Sequence, residues 1–261
     1  MSKLMGVVNV TPDSFSDGGL YLDPEAAIAH GRELAEAGAE ILDVGGESTR
    51  PGAEPVAAGE ELRRVVPVVR GLGDLGCEVS VDTSKAAVAE AALDAGATIV
   101  NDVTALRGDT AMAPLCAERN VTVVLMHMLG EPRTMQADPR YGDVVAEVKA
   151  FLAGRLEAAT AAGIAEERVW LDPGIGFGKT AAHNMELLRR LGELRELGRP
   201  LVIGTSRKSF IGKVDGSAAG ERLGGTIASS VLAAAEGAEV LRVHDVAEVR
   251  QALAVAAAIL G

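Results

Sequence analysis

The sequence predicts an α/β fold, a single (β/α)8 TIM barrel over residues 1–261, with long loops after the first and second strands. Three observations carry this expectation. Eight short β-branched or apolar runs alternate with segments of helix length, a helix–glycine–strand device recurs along the chain, and every run ends at a residue able to hydrogen-bond or ionise. Strict βα alternation calls for a parallel sheet with helices outside it. A chain of 261 residues is the size of one such barrel. An open doubly wound sheet is the structural rival.

The strand-like runs cover residues 4–10, 40–44, 78–81, 97–100, 121–126, 169–171, 201–203 and 240–243. Pro24 is placed to open the helix after the first run and Asp245 to cap the helix after the last. Ser84 and Thr180 can cap the helices that follow Asp82 and Asp172, which leaves those two aspartates free for other work. Gly38, Gly96, Gly163, Gly198 and Gly237 sit just past helical stretches, where a left-handed residue ends a helix. Three of them belong to the repeated device, as in Ala37-Gly38-Ala39-Glu40-Ile41 and Ala95-Gly96-Ala97-Thr98-Ile99.

Composition narrows the function classes. Nearly half the residues are hydrophobic but only 3% are aromatic, so small aliphatic side chains must fill the core. A formal net charge of −12 argues against nucleic acid or an anionic membrane as partner. The opening Met1-Ser2-Lys3-Leu4 has no charged stretch leading into an apolar one, and no run is long enough to span a bilayer, so a cytoplasmic location is expected. Cys77 and Cys116 show no metal-ligand spacing and read as structural thiols.

The residues at the carboxyl ends of the runs are Asn9, Asp43, Asp82, Asn101, His127, Asp172, the segment Ser206-Arg207-Lys208, and Arg242 with His244. Single positions of this kind can be helix caps, but eight of eight suits a barrel mouth. Carboxylates, amides and a lysine in fixed directions fit a planar heterocycle with an amide-like edge. Arg242 and His244 offer charge-assisted donors where barrels often hold phosphate. Pro173-Gly174-Ile175-Gly176-Phe177-Gly178-Lys179-Thr180 looks like a phosphate-binding loop, yet Pro173 stands where that pattern needs glycine. Its glycines instead suggest a tight bend that brings Phe177 over a flat ligand. The four histidines are scattered without ligand spacing, so any metal would be Mg2+ held by a few oxygens and by substrate phosphates. No Ser-His-Asp or Cys-His arrangement emerges for covalent catalysis.

Long ordered segments then resemble one family. Gly6-Val7-Val8-Asn9-Val10-Thr11-Pro12-Asp13-Ser14-Phe15-Ser16-Asp17-Gly18-Gly19 is similar to the opening signature of dihydropteroate synthases, and Asp43-Val44-Gly45-Gly46-Glu47-Ser48-Thr49-Arg50-Pro51-Gly52 to their second. Val81-Asp82-Thr83, Asn101-Asp102-Val103, Leu171-Asp172-Pro173-Gly174-Ile175-Gly176-Phe177, Ser206-Arg207-Lys208-Ser209 and Arg242-Val243-His244-Asp245 continue the match in order. Thr104-Ala105-Leu106 departs from a Ser-Gly-Gly-type turn carried by many members.

The resemblance implies a (β/α)8 barrel that joins a pterin diphosphate to p-aminobenzoate. Asp82, Asn101, Asp172 and Lys208 would grip the pterin, with Phe177 and Met126 completing its contacts. Asn9, Arg242 and His244 would hold the diphosphate, and Asn9 would help to place Mg2+. Phe15, Thr49, Arg50, Pro51 and Ser209 would shape the p-aminobenzoate pocket, and the loops over residues 11–19 and 48–52 would close over it. Asp82 and Asp13 would stabilise a cationic pterin methylene. A corrinoid methyltransferase acting on methyltetrahydrofolate, and a pterin-binding paralogue without turnover, are the alternatives. The apolar stretches at residues 227–235 and 252–260 suggest a homodimer formed through the last two helices.

Overall fold

In a computed structural model of the chain, residues 2–11, 23–50, 52–131 and 133–261 are described. Strands β1 (Lys3–Asn9), β2 (Ile41–Gly45), β3 (Glu78–Asp82), β4 (Ile99–Asp102), β5 (Thr122–Met126), β6 (Val169–Asp172), β7 (Val202–Ile203) and β8 (Val240–Val243) follow the predicted runs in order. All pair in parallel, in the spatial order β6-β5-β4-β3-β2-β1-β8-β7. A lone bridge between Leu171 and Leu201 returns β6 to β7, and the Leu171 N–H donates to Pro200 O at 2.9 Å. That contact decides for the (β/α)8 barrel over the open sheet.

Helices α1 (Pro24–Glu36), α2 (Ala58–Leu72), α3 (Ala86–Asp94), α4 (Met112–Arg119), α5 (Val144–Ala161), α6 (Ala181–Arg189), α7 (Leu191–Arg195), α8 (Ser209–Asp215), α9 (Leu223–Ala235) and α10 (Val246–Leu260) lie between and after the strands. Period-two alternation sorts each strand into an outward and an inward set. Outward residues such as Leu42, Val44, Val81, Val100, Leu125, Leu171 and Leu241 join the large core cluster shared with the helices. Inward Met5, Ile41, Ile99, Val124, Val202 and Val240 form a separate apolar cluster with Trp170 packed against it. Two residues further along the same strands, the inward set becomes Val7, Asp43, Asn101, Met126, Asp172 and Arg242. The barrel is thus apolar at its amino end and polar at its carboxyl end, the face where barrel enzymes place their sites.

The helix ends follow the sequence in part. Pro24 occupies the first turn of α1, Thr180 caps α6 in a capping box with His183, and all five predicted stop glycines have positive φ, from +69° at Gly198 to +117° at Gly96. Two expected caps are absent. Ser84 does not cap α3, whose Ala86 N–H is taken by Asp109 from the next loop at 2.9 Å. Asp245 makes no cap bond to α10, because its carboxylate pairs with Arg207 at 2.5 and 3.0 Å. A charged partner outcompetes a backbone amide there.

After β4 the chain takes a left-handed course at Ala105 and Leu106, with φ of +54° and +61°. Two consecutive non-glycine residues in that region are strained. The buried Asp102 carboxylate offsets the strain by accepting from Thr104 N, Thr104 Oγ1 and Leu106 N at 2.7–2.9 Å. Where glycines would do this without penalty, the chain uses an aspartate brace.

Candidate active site

The carboxyl end of the barrel opens into a cavity of about 410 Å3. Its lining includes Asn9, Thr11, Ser48, Thr49, Arg50, Asp82, Phe177, Ser206, Lys208, Ser209, Arg242 and His244. Nine of the sequence-predicted site residues therefore meet around one space: Asn9, Thr49, Arg50, Asp82, Phe177, Lys208, Ser209, Arg242 and His244. Asn101, Asp172 and Met126 do not line it. They are buried beside it, Asn101 through its partner Asp43 and Met126 in a small apolar cluster with Val103, Met128, Met135 and Phe177. Asp13, Phe15 and Pro51 lie outside the described residues.

The centre is a buried ion network. Arg242, on β8, donates from Nε to Asp43 Oδ2 at 2.6 Å and from Nη2 to Asp82 Oδ2 at 3.0 Å. The same Asp43 oxygen accepts from Asn101 Nδ2 at 3.1 Å. Asp43 is completely buried and reaches no ligand-accessible surface. Sequence reading placed it among the strand-end residues and gave it no role, but it is the group that fixes both Arg242 and Asn101. Burial raises the Asp82 carboxyl pKa to about 7, with Arg242 pulling it down and Asp43 pushing it up. Asp82 therefore sits near the point where its charge can respond to a ligand. Burial also raises Asp172, against the opposing pull of Lys208, and the Gly174 N–H donates to Asp172 Oδ1 at 2.7 Å.

Lys208 precedes α8 and points back across the mouth. Its Nζ donates to Ile175 O and lies 4.6 Å from the centre of the Phe177 ring. Burial lowers its pKa to about 8, and Asp172 works in the other direction. Phe177 thus stands under an ammonium, in a cation–π arrangement.

His244 differs from expectation. The sequence suggested a charge-assisted donor, but burial, then Arg242 and further cations, lower its pKa to about 3. Its imidazole is therefore neutral near pH 7. Ser206 Oγ accepts the His244 backbone N–H at 3.2 Å and lies 2.9 Å from Nδ1. The Ser206 hydroxyl can donate to Nδ1, and in that tautomer Nε2–H is the ring's donor. An arriving dianion would raise this pKa by direct attraction.

Sequence reading missed several supports. Arg207 is in the left-handed region at φ +56°, held by its pair with Asp245, by Thr226 Oγ1 at 2.9 Å, and by Arg222, which donates to its carbonyl at 3.0 Å. Lys85 bridges Glu47, in the loop after β2, to the fully buried Glu61 of α2. No local pattern signals these pairs, which join residues 15 to 38 positions apart. The glycine in Arg207's backbone conformation that a pattern search would look for is simply absent.

Among the described residues no group of three or more His, Cys, Asp or Glu side chains is arranged to hold a metal ion. Asn9 lines the cavity and offers one hard amide oxygen. A single oxygen of this kind suits Mg2+ that draws most of its ligands from substrate phosphates and water.

Comparison with known proteins fits this geometry. Residues 5–244 match the family described as pterin binding enzyme, which sets the class. Over 258 residues the chain is 47% identical to the dihydropteroate synthase of Escherichia coli, covering 98% of this chain and 91% of that one. It is 50% identical over 252 residues to the enzyme of Mycobacterium leprae, covering 94% and 88% of the two chains. Among solved structures, the Yersinia pestis dihydropteroate synthase in complex with a sulfonamide drug superposes with a TM-score of 0.96 at 44% identity, covering 99% of this chain and 94% of that one. The Xanthomonas albilineans enzyme with 4-aminobenzoic acid gives 0.93 at 50% identity, covering 100% and 93%. The chain belongs to the dihydropteroate synthase family of pterin binding enzymes.

Proposed function

We propose that this chain condenses 6-hydroxymethyl-7,8-dihydropterin diphosphate with p-aminobenzoate to give 7,8-dihydropteroate and diphosphate, as a folate-pathway transferase built as one barrel domain. The observation that carries the proposal is the convergence of Asp82, Lys208 and Arg242 on one cavity whose rim holds Thr49, Arg50 and Ser209. A relative from Xanthomonas albilineans solved with 7,8-dihydropteroate, 47% identical to this chain, supports the same reading.

In this mechanism the bond between the pterin methylene carbon and the diphosphate oxygen breaks first, and its electron pair leaves with the diphosphate. Asp82, with Asp13 from outside the described residues, stabilises the cationic methylene. Asp82 and Lys208 hold the ring with Phe177 from the cavity wall, and Asn101, Asp172 and Met126, buried beside that wall, meet the ring where it inserts more deeply. Asn9, Arg242 and His244 take the diphosphate, and the charge that builds on it strengthens those contacts in the transition state. The amine of p-aminobenzoate, held by Thr49, Arg50 and Ser209 with Phe15 and Pro51, then adds to the methylene and gives up a proton. Mg2+ bound with the diphosphate would supply further neutralisation of leaving-group charge, with Asn9 as its protein ligand. No protein nucleophile is needed.

The test is turnover. Purified protein with both substrates and Mg2+ should form dihydropteroate on a chromatogram, chelation should suppress it, and a sulfonamide should compete with p-aminobenzoate. Absence of product with pterin binding retained would favour the paralogue without turnover.

The chain also carries a surface suited to a second copy of itself. Leu232 on α9, and Val255, Ile259 and Leu260 on α10, are 55–77% exposed, and the two helices pack side by side. Large apolar side chains grouped in this way are typical of an interface. We therefore expect a homodimer, with sedimentation at twice the chain mass at micromolar concentration and at the single mass for Leu232→Glu/Ile259→Glu. A wild-type chain that sediments as a monomer would refute it. No helix among the described residues is long and apolar enough to cross a membrane. Cys77 and Cys116 are both free thiols, and a cytoplasmic location is part of this reading.

A further inference from the structure

Lys179 closes the glycine-rich loop after β6, and its side chain is almost completely buried. Its Nζ lies 2.9 Å from Gly174 O, 2.9 Å from Phe177 O, 2.9 Å from His127 Nδ1 and 3.4 Å from His127 O. Burial lowers the Lys179 pKa to about 7, with Asp172 pulling it up, and the charged form persists in such a place only where acceptors replace its hydration. Here three carbonyls and a ring nitrogen do so. His127 is kept neutral by burial first and by Lys179 second, so Nδ1 is free to accept.

The loop is curled to make this cage. Gly174, Gly176 and Gly178 have φ of +67°, +87° and +63°. At Gly174 a Cβ would fall 1.9 Å from His127 O, so no side chain fits. In a phosphate-binding loop the backbone amides converge on an anion. In this loop carbonyls converge instead, and the amine they meet is the loop's own lysine. The other carbonyls face away and are also engaged: Ile175 O by Lys208 Nζ, Gly176 O by Gln136 Nε2 and Gly178 O by Tyr141 Oη at 2.8 Å.

Two contacts of the Lys208 ammonium, with Ile175 O and with the Phe177 ring, are therefore made by residues of the loop wrapped around Lys179. Lys179 itself is not part of the cavity lining, whereas Gly176 and Phe177 are. We infer that Lys179 is a positioning residue of the active site, a buried amine whose caged hydrogen bonds shape the 174–178 loop and through it aim Lys208 and Phe177. The inference rests on the function proposed above, because it takes Lys208 and Phe177 as the groups that meet the pterin. It also gives His127 a task that its place at the end of β5 did not suggest: the imidazole faces the lysine rather than the ligand.

The test compares Lys179→Met, which keeps the length and removes the amine, with Tyr141→Phe, which loosens the same loop from its other side and leaves no buried charge unpaired. Steady-state kinetics give kcat and the KM for each substrate, and calorimetry gives the Kd for 6-hydroxymethylpterin alone. Misplacement of a reacting group by about 1 Å can lower a rate about a hundredfold. Lys179→Met should lose about that factor in kcat/KM and bind the pterin about tenfold more weakly. Tyr141→Phe should move both quantities in the same direction by a few-fold, with the thermal midpoint nearly unchanged. A folded Lys179→Met protein with wild-type kcat, KM and pterin Kd would overturn the inference. So would an unfolded Lys179→Met alongside a Tyr141→Phe enzyme identical to wild type. If wild-type protein forms no dihydropteroate, the functional proposal fails by itself, and the pterin Kd values still decide the role of Lys179.

Discussion

Arg242→Met should lower folding stability by about 3–5 kcal/mol and kcat/KM by about 10^2–10^3-fold. Arg242 is the cation between Asp43 and Asp82, bonded to both at 2.6 and 3.0 Å. Methionine fills much of its volume but leaves two buried carboxylates facing one another, and an uncompensated buried charge is the expensive outcome. The same substitution removes the proposed diphosphate donor. Urea denaturation and steady-state kinetics on Arg242→Met, Asp43→Asn and the double variant separate the two losses. The double variant should regain part of the stability, since one orphaned carboxylate is gone, and none of the turnover. A single variant with a wild-type urea midpoint would show that the network does not hold the barrel mouth together.

Asp82→Asn should pull stability and activity in opposite directions. Its carboxyl pKa in the folded protein is about 7, raised chiefly by burial, whereas an unfolded aspartate titrates near 3.9. The folded state therefore binds the proton more tightly. The stability linked to this group is fully present below about pH 4 and is lost as the pH rises to about 7. Asparagine removes that loss, while Arg242 keeps Asp43 as its partner. The variant's Tm should match wild type near pH 4 and exceed it by a few degrees at pH 8. Its kcat should fall about 10^2–10^3-fold, because the proposed stabiliser of the cationic pterin is gone. Equal Tm values at pH 8, or retained kcat, would remove Asp82 from its proposed role. Buried charge that weakens the fold yet serves the reaction is the expected trade at such a site.

What the sequence revealed and what it hid follow from the range of the interactions involved. Strand positions, stop glycines and the polar ring were legible because alternation and helix termination are local, written within a few residues of one another. The resemblance of long ordered segments then assigned most of the cavity residues. The pairings were not legible. Arg242 meets Asp43 across 199 positions and Asp82 across 160, and these contacts exist only because β8 pairs with β1 and so lies near β2 and β3. Asp245 read as a cap, since nothing nearby in sequence announces Arg207 as its partner. Lys179 stands in sequence only as part of a phosphate-binding pattern that fails at Pro173, because a pattern of residue types does not record whether amides or carbonyls turn inward.

The seam between β6 and β7 has a mechanical meaning. Most neighbouring strands share three to five register pairs, and β7 and β8 share two, but β6 and β7 meet through one bridge. The barrel is therefore closer to a split ring than to a hoop, with compliance gathered at one joint. Asp172 stands on one lip of that joint, and Lys208 follows the strand on the other. A ligand that engages both acts as a clasp, so occupancy at the mouth would stiffen the whole cylinder down to its apolar base.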